Sequence, residues 1–219
     1  MNLNWINILE KKYKRYAVRN LMNILVCGMA VVYVLDTLAA PLFTSPGGIS
    51  AFLDFNRQNV LRGQVWRLIT FAFMPPSSGT MMVVLTLYLY WIIGSALNNY
   101  WGSFRFNLFY FCGILASIIG GFTTGYTTNY YLNMSLFFAF AILYPDFQIR
   151  LFFVFPIKIK YLALLNALYY VIGFFSVPFP FKIAMILSLA NIAFFFYKDL
   201  YGRVKRLYRK IRFMKNFRS

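Results

Sequence analysis

The chain has 219 residues, of which 61% are hydrophobic and only 12% charged. Soluble domains carry about 25% charge, so a soluble enzyme, a disordered tail and a secreted scaffold are excluded. Six apolar spans of about 20 residues fit the length, and the composition points to an all-α membrane protein.

Twenty-two Lys and Arg stand against five acids, for a net charge of +17. The cations bracket apolar runs, which is the pattern of membrane topology and of attraction to anionic lipid headgroups rather than of nucleic-acid binding. There is no histidine, which excludes a Ser–His–Asp triad, a His metal site and a His proton switch. Cys27 and Cys112 sit in apolar runs outside any C-x-x-C pair, so neither a disulfide framework nor a zinc site is supported, and no metal or cofactor is expected.

Residues 1–20 combine Glu10, Lys11, Lys12, Lys14, Arg15 and Arg19 with Trp5, Ile6, Ile8 and Leu9. This reads as an amphipathic basic head lying on the cytoplasmic face. A first span is expected at about 21–43. Leu38-Ala39-Ala40 resembles a signal-cleavage site, but the apolar run is too long and Pro41 blocks cleavage, so the span is retained. Asp36 within it is expected near the outer interface.

Residues 44–67 form a loop opened by Ser45-Pro46-Gly47-Gly48. Phe52, Leu53 and Phe55 alternate with Asp54, Arg57 and Arg62, which suggests a segment on the membrane surface. Pro75-Pro76-Ser77-Ser78-Gly79 breaks the chain before a second span at about 80–97.

The third span, about 106–122, carries a small-residue stripe at a spacing of four, Gly113, Ser117, Gly121 and Gly125. Such a stripe admits a neighbouring helix at close range. Residues 123–129 are an uncharged polar loop. The fourth span, about 130–144, is short, roughly 21 Å if helical. The hydrocarbon layer is about 30 Å thick. Pro145-Asp146 ends this span, and residues 147–160, with Arg150, Lys158 and Lys160, are expected to lie along the interface. The fifth span is about 161–177, Pro178-Phe179-Pro180 forces a turn, and the sixth is about 181–197. Asn133, Asn166 and Asn191 are amides expected to hydrogen-bond between helices.

The organisation is a head (1–20), a six-span domain (21–198) and a basic cytoplasmic tail (199–219). From Lys198 onward there are nine Lys and Arg against one acid. The head holds five cations, the turn at Arg105 one and the 145–160 segment three, whereas Arg57, Arg62, Arg67 and Lys182 fall on the other side. The positive-inside rule places both termini in the cytoplasm. The Phe-, Ile-, Lys- and Asn-rich usage suggests a bacterial cell membrane.

Gly63-Gln64-Val65-Trp66-Arg67-Leu68-Ile69-Thr70, Gly94, Trp101-Gly102-Ser103-Phe104-Arg105-Phe106, Pro145 and Pro156-Ile157-Lys158-Ile159-Lys160-Tyr161 occur in an order that resembles the rhomboid superfamily over roughly residues 20–200. That family includes intramembrane serine proteases and the inactive derlins. The resemblance implies a six-transmembrane-helix rhomboid-like bundle, in which the pair Trp66 and Arg67 orders the loop after the first span. Plain anchoring of both side chains at the interface is the other reading.

The resemblance also locates a catalytic centre. Rhomboid proteases carry the nucleophile in G-x-S-G on the fourth span; here Asn133-Met134-Ser135-Leu136 keeps the serine and loses both glycines. The family's base on the sixth span is a histidine, and this chain has none. Its Asn and His on the second span would fall at Thr86 and Met82. Ser135 is therefore a vestigial nucleophile, because a serine hydroxyl needs an adjacent base. Lys182 is the one candidate substitute, and a buried hydroxyl bonded to its own helix is the plainer reading of Ser135.

The function expected on this resemblance is that of a pseudoprotease recognising transmembrane segments of other membrane proteins. An active protease with a non-histidine base around Ser135 is one alternative. A small-solute transporter, or its binding subunit, is the other.

Overall fold

The computed structural model describes residues 4–39, 48–76, 79–151 and 155–196. The tail 199–219 and the link 40–47 lie outside the described residues. Helix α1 (Asn4–Tyr13) leads into α2 (Leu21–Ala39). A loop layer follows, built from α3 (Ser50–Leu53), β1 (Phe55–Asn56), α4 (Arg57–Leu61) and α5 (Arg67–Thr70). The remaining helices are α6 (Thr80–Trp101), α7 (Ser103–Thr124), α8 (Tyr130–Leu143), α9 (Ile159–Ser176) and α10 (Phe179–Phe196). Among the described residues, α2, α6, α7, α9 and α10 are each long and apolar enough to cross a membrane. Helix α8 has 14 residues, about 21 Å.

Local chemistry sets the breaks. Gly102 (φ +80°) ends α6 by donating its N–H to the Asn98 carbonyl and immediately starts α7. Gly125 (φ +87°) ends α7 with its N–H on the Gly121 carbonyl, a left-handed cap that glycine adopts without a Cβ clash. Gly125 was expected to continue the packing stripe. The space around it is open, so its part is to stop the helix.

Helix α7 is central, with half of its span buried, whereas α9 buries only 11% of its own and faces outward. The core joins Phe106, Phe109 and Tyr110 of α7 to Leu97 and Trp101 of α6, Leu132, Leu136 and Phe140 of α8, and Phe195 and Phe196 of α10. Each of these side chains is withdrawn from solvent, and burying a large apolar side chain is worth about 1.5–3 kcal/mol. Within the stripe, Gly113 lies against Leu132 of α8 and Asn191 of α10, as close helix approach requires. Gly121 differs from expectation. A Cβ there would meet Phe55 of the loop at 2.5 Å and Thr127 at 2.9 Å, so its small size admits the loop layer rather than a helix.

Contacts sort the helix ends into two groups. At one end, Arg105 pairs with Glu10 at 2.9 Å, Asn107 donates to the Val18 carbonyl, Tyr100 meets Tyr144, and Trp101 meets Phe196. At the other end, β1 pairs antiparallel with β2 (Tyr126–Thr127), and Asn129 bonds to the carbonyls of Ala72 and Met74. Within residues 147–160, the segment expected along the interface takes regular structure. Strands β3 (Gln148–Leu151) and β4 (Phe155–Lys158) pair as an antiparallel hairpin. Pairing each strand's backbone with the other spares its polar groups from an apolar interface.

Candidate functional site

The loop layer is organised around Arg67. Its aliphatic stem and guanidinium are buried at 3% exposure, an unusual place for a charge. Nε donates to Gln64 Oε1 at 2.7 Å. Nη1 reaches the carbonyls of Ala51 at 2.9 Å and Asp54 at 2.8 Å, and the Asp54 carboxylate as well. One side chain thus ties the end of α3 to the start of α5. Burial raises the Asp54 pKa above the ordinary carboxylate value, and the facing Arg67 opposes that shift without cancelling it.

Around this hub, Thr70 donates to the Leu53 carbonyl and the Asn56 side chain accepts from the N–H groups of Gln58 and Asn59, capping α4. Trp66 is half exposed while its indole N–H donates to the Phe52 carbonyl at 3.2 Å. Phe55 does not lie on a surface as the alternating pattern suggested. It is fully buried, edge-on to Phe71 and Phe122. Asp36, at the far end of α2, accepts from the N–H groups of Ile49 and Ser50 and from the Ser50 hydroxyl. The loop is therefore pinned at both ends.

Beneath this layer, α6, α8 and α9 enclose a pocket of about 140 Å³. Thr86 and Tyr90 come from α6, Tyr130, Asn133 and Phe137 from α8, and Asn166 from α9. Asn133 is buried at 3% exposure; neither its Oδ1 nor its Nδ2 makes a well-formed hydrogen bond, and the polar group it interacts with is the Tyr90 hydroxyl of α6. Each unmade bond of this kind costs about 1–3 kcal/mol. The other two helix amides behave differently. Asn191 donates its Nδ2 to the Phe109 carbonyl of α7 while its Oδ1 makes no hydrogen bond, whereas Asn166 donates to Leu162 of its own helix, not across helices.

Ser135 is buried near this pocket and donates to the Leu132 carbonyl at 2.7 Å. Lys182 places its Nζ over the Phe174 ring, 5.6 Å from the centroid. Among the described residues no hydrogen bond joins the two side chains. Cys27 and Cys112 are free thiols, and no group of three His, Cys, Asp or Glu residues capable of holding a metal occurs among the described residues.

The chain matches no protein-family model and no curated protein. The site is therefore read from its own geometry. Gln64 lies within the motif around Trp66 and Arg67, whereas Asp54 and Asn129, which also hold the loop, carry no motif that marks them. One signal existed for Asp54: it is the only acid between Asp36 and Asp146, in a loop holding three arginines. Tyr90 had no signal at all, since a tyrosine among apolar residues is the common state of a span.

Proposed function

We propose that the protein is a six-span, rhomboid-like membrane protein without protease activity, which recognises transmembrane segments of other membrane proteins at the α6–α8–α9 pocket. The carrying observation is Asn133, a buried amide that makes no well-formed hydrogen bond and has only the Tyr90 hydroxyl to interact with. In hydrocarbon such a group is costly until it finds a partner, and a passing helix with its own polar side chain supplies one. Thr86 falls where the rhomboid resemblance puts a catalytic Asn, Asn133 falls where it puts the first glycine of the serine motif, and both line this pocket. The inactive reading is supported by the commitment of the Ser135 hydroxyl to Leu132 and by the seat of Lys182 over Phe174. The distribution of basic residues supports cytoplasmic termini.

The test uses the full chain in bilayers with labelled single-span peptides. A polyleucine helix with one central Asn should associate more strongly than the all-Leu helix, and Asn133→Leu should remove that preference. Neither peptide should be cut. Equal association of both peptides with the wild type rejects the recognition reading. Cleavage that Ser135→Ala abolishes rejects the inactive one.

A further inference from the structure

A second concavity, separate from the polar pocket, opens between the lower halves of α8, α9 and α10. Its volume is about 630 Å³, in the range of small-molecule sites. Its walls are apolar: Phe138 and Ile142 of α8, Ala163 and Ala167 of α9, and Leu189 and Ala193 of α10. Its cause is a wedge. At the closed end, the Tyr170 hydroxyl bonds to Ser188 Oγ at 2.6 Å and to the Met185 carbonyl at 3.0 Å, which clamps α9 to α10. Below that clamp Ala163 and Ala167 offer only methyl groups, too short to fill the gap. The groove runs along α9 from Lys160 to Val171, roughly 16 Å at the rise of an α-helix.

The open end is charged. Lys160 lines the groove mouth beside Pro145, and its Nζ lies 3.0 Å from Asp146 Oδ1. Lys158 approaches the same oxygen at 3.6 Å. Two ammonium groups share one carboxylate, which leaves a net positive charge where the apolar groove meets the helix ends. A bundle of this composition sits in lipid, so an apolar trough running inward from a cationic rim matches one class of molecule. We propose that the groove holds an acyl chain of an anionic phospholipid, with the headgroup phosphate against Lys158 and Lys160. The basic segment from Lys198 onward is a poor occupant, because its nine cations would meet a rim of their own sign. This site is independent of the Asn133 pocket, and either can fail without the other.

The experiment uses the full chain, delipidated in mild detergent and examined by native mass spectrometry. Phosphatidylglycerol, phosphatidylcholine, diacylglycerol and inorganic phosphate are added in separate arms. One phosphatidylglycerol should be retained, with phosphatidylcholine and diacylglycerol held more weakly and phosphate alone unable to displace it. Ala167→Phe fills the groove and should lose the retained lipid, whereas Leu115→Phe, on the exposed face of α7, should keep it. Lys158→Gln with Lys160→Gln leaves the groove open and should reduce the preference for phosphatidylglycerol by about fivefold per lysine. A phosphatidylglycerol with a photoreactive acyl tail should label α8, α9 and α10 around the groove. Four results overturn the proposal: retention by Ala167→Phe equal to wild type, equal retention of all three lipids, an unchanged preference in the double lysine variant, or labels spread evenly over the helices. Should Ala167→Phe misfold, the lysine variant and the labelling pattern still decide.

Discussion

At the scale of single residues, Arg67 carries the loop. Its bonds reach Gln64, Ala51 and Asp54 at once, which needs the planar fork of a guanidinium. Arg67→Ala leaves two carbonyls and a carboxylate unpaired in a buried place, a loss of about 3 kcal/mol in loop stability. Lysine keeps the charge but reaches fewer of these acceptors, so Arg67→Lys should fall between alanine and wild type. Proteolytic nicking within residues 48–74 measures both. Equal resistance of all three proteins would reduce Trp66 and Arg67 to interfacial anchors. Acid should act on the same loop in an unusual direction. The folded Asp54 pKa is raised, because desolvation outweighs Arg67. The folded loop therefore takes up a proton more readily than the unfolded chain. The ionised carboxyl costs stability above the folded pKa, and that cost is withdrawn as pH falls through it. As pH falls toward the ordinary carboxylate range, the wild-type loop should hold or tighten relative to Asp54→Asn. Loosening on acidification that Asp54→Asn lacks would show the ion pair to be the larger effect.

At the scale of elements, the three glycines of the stripe, Gly113 and Gly121 of α7 and Gly125 just after it, were expected to act alike and do three different things. Gly113 admits α8 and α10, Gly121 admits Phe55 and Thr127, and Gly125 ends the helix. Substitutions should separate them. Gly113→Leu should lower the thermal stability of the bundle in detergent and leave the loop resistant to protease. Gly121→Leu should expose the loop, because overpacking against Phe55 costs about 1–3 kcal/mol. Gly125→Ala should cost about 1 kcal/mol for a Cβ in left-handed backbone. If Gly121→Leu leaves nicking of residues 48–74 unchanged, the loop does not depend on Phe55. The helices themselves were legible in sequence because long apolar runs bounded by Pro and Gly have little choice of structure. The loop layer was not. Phe52, Leu53 and Phe55 look alike as a surface stripe, and only the pairing of β1 with β2, 72 residues apart between Phe55 and Thr127, decides that Phe55 turns inward. The hairpin of β3 and β4 escaped notice for a similar reason, since its cations suggested an interface while its backbone pairing leaves no periodic trace. Asn133 was legible as an amide within a helix, but the absence of a well-formed hydrogen bond to it depends on α6 and α9 and on no neighbour in sequence.

At the scale of the whole molecule, the contacts at the helix ends demand that α8 run from the loop layer to the opposite end. Asn129 is held by Ala72 and Met74, and Tyr144 packs on Tyr100. Yet 14 residues rise only about 21 Å, against about 30 Å of hydrocarbon. The shortfall is met by protein: Ala72 and Met74 hold Asn129 at one end, and Phe147 beside the hairpin packs edge-on to Phe140 at the other. On the proposed six-span reading, α8 crosses while short because its ends meet protein rather than lipid; seven of its 14 residues are buried. Single cysteines at Arg62, Asn99 and Asp146, in a chain with Cys27 and Cys112 changed to Ala, test this with an impermeant maleimide on intact cells. Arg62→Cys should react from outside, because it lies in the loop layer, on the side the positive-inside rule assigns to the exterior. Asn99→Cys and Asp146→Cys should react only after permeabilisation, because the chain crosses once in α6 and returns to the same side after α7 and α8. Outside labelling of Asp146→Cys together with protection of Asn99→Cys would mean that α8 does not cross, and the proposed six-span topology would fall. Outside labelling of both, with Arg62→Cys protected, would keep the six crossings and invert their orientation.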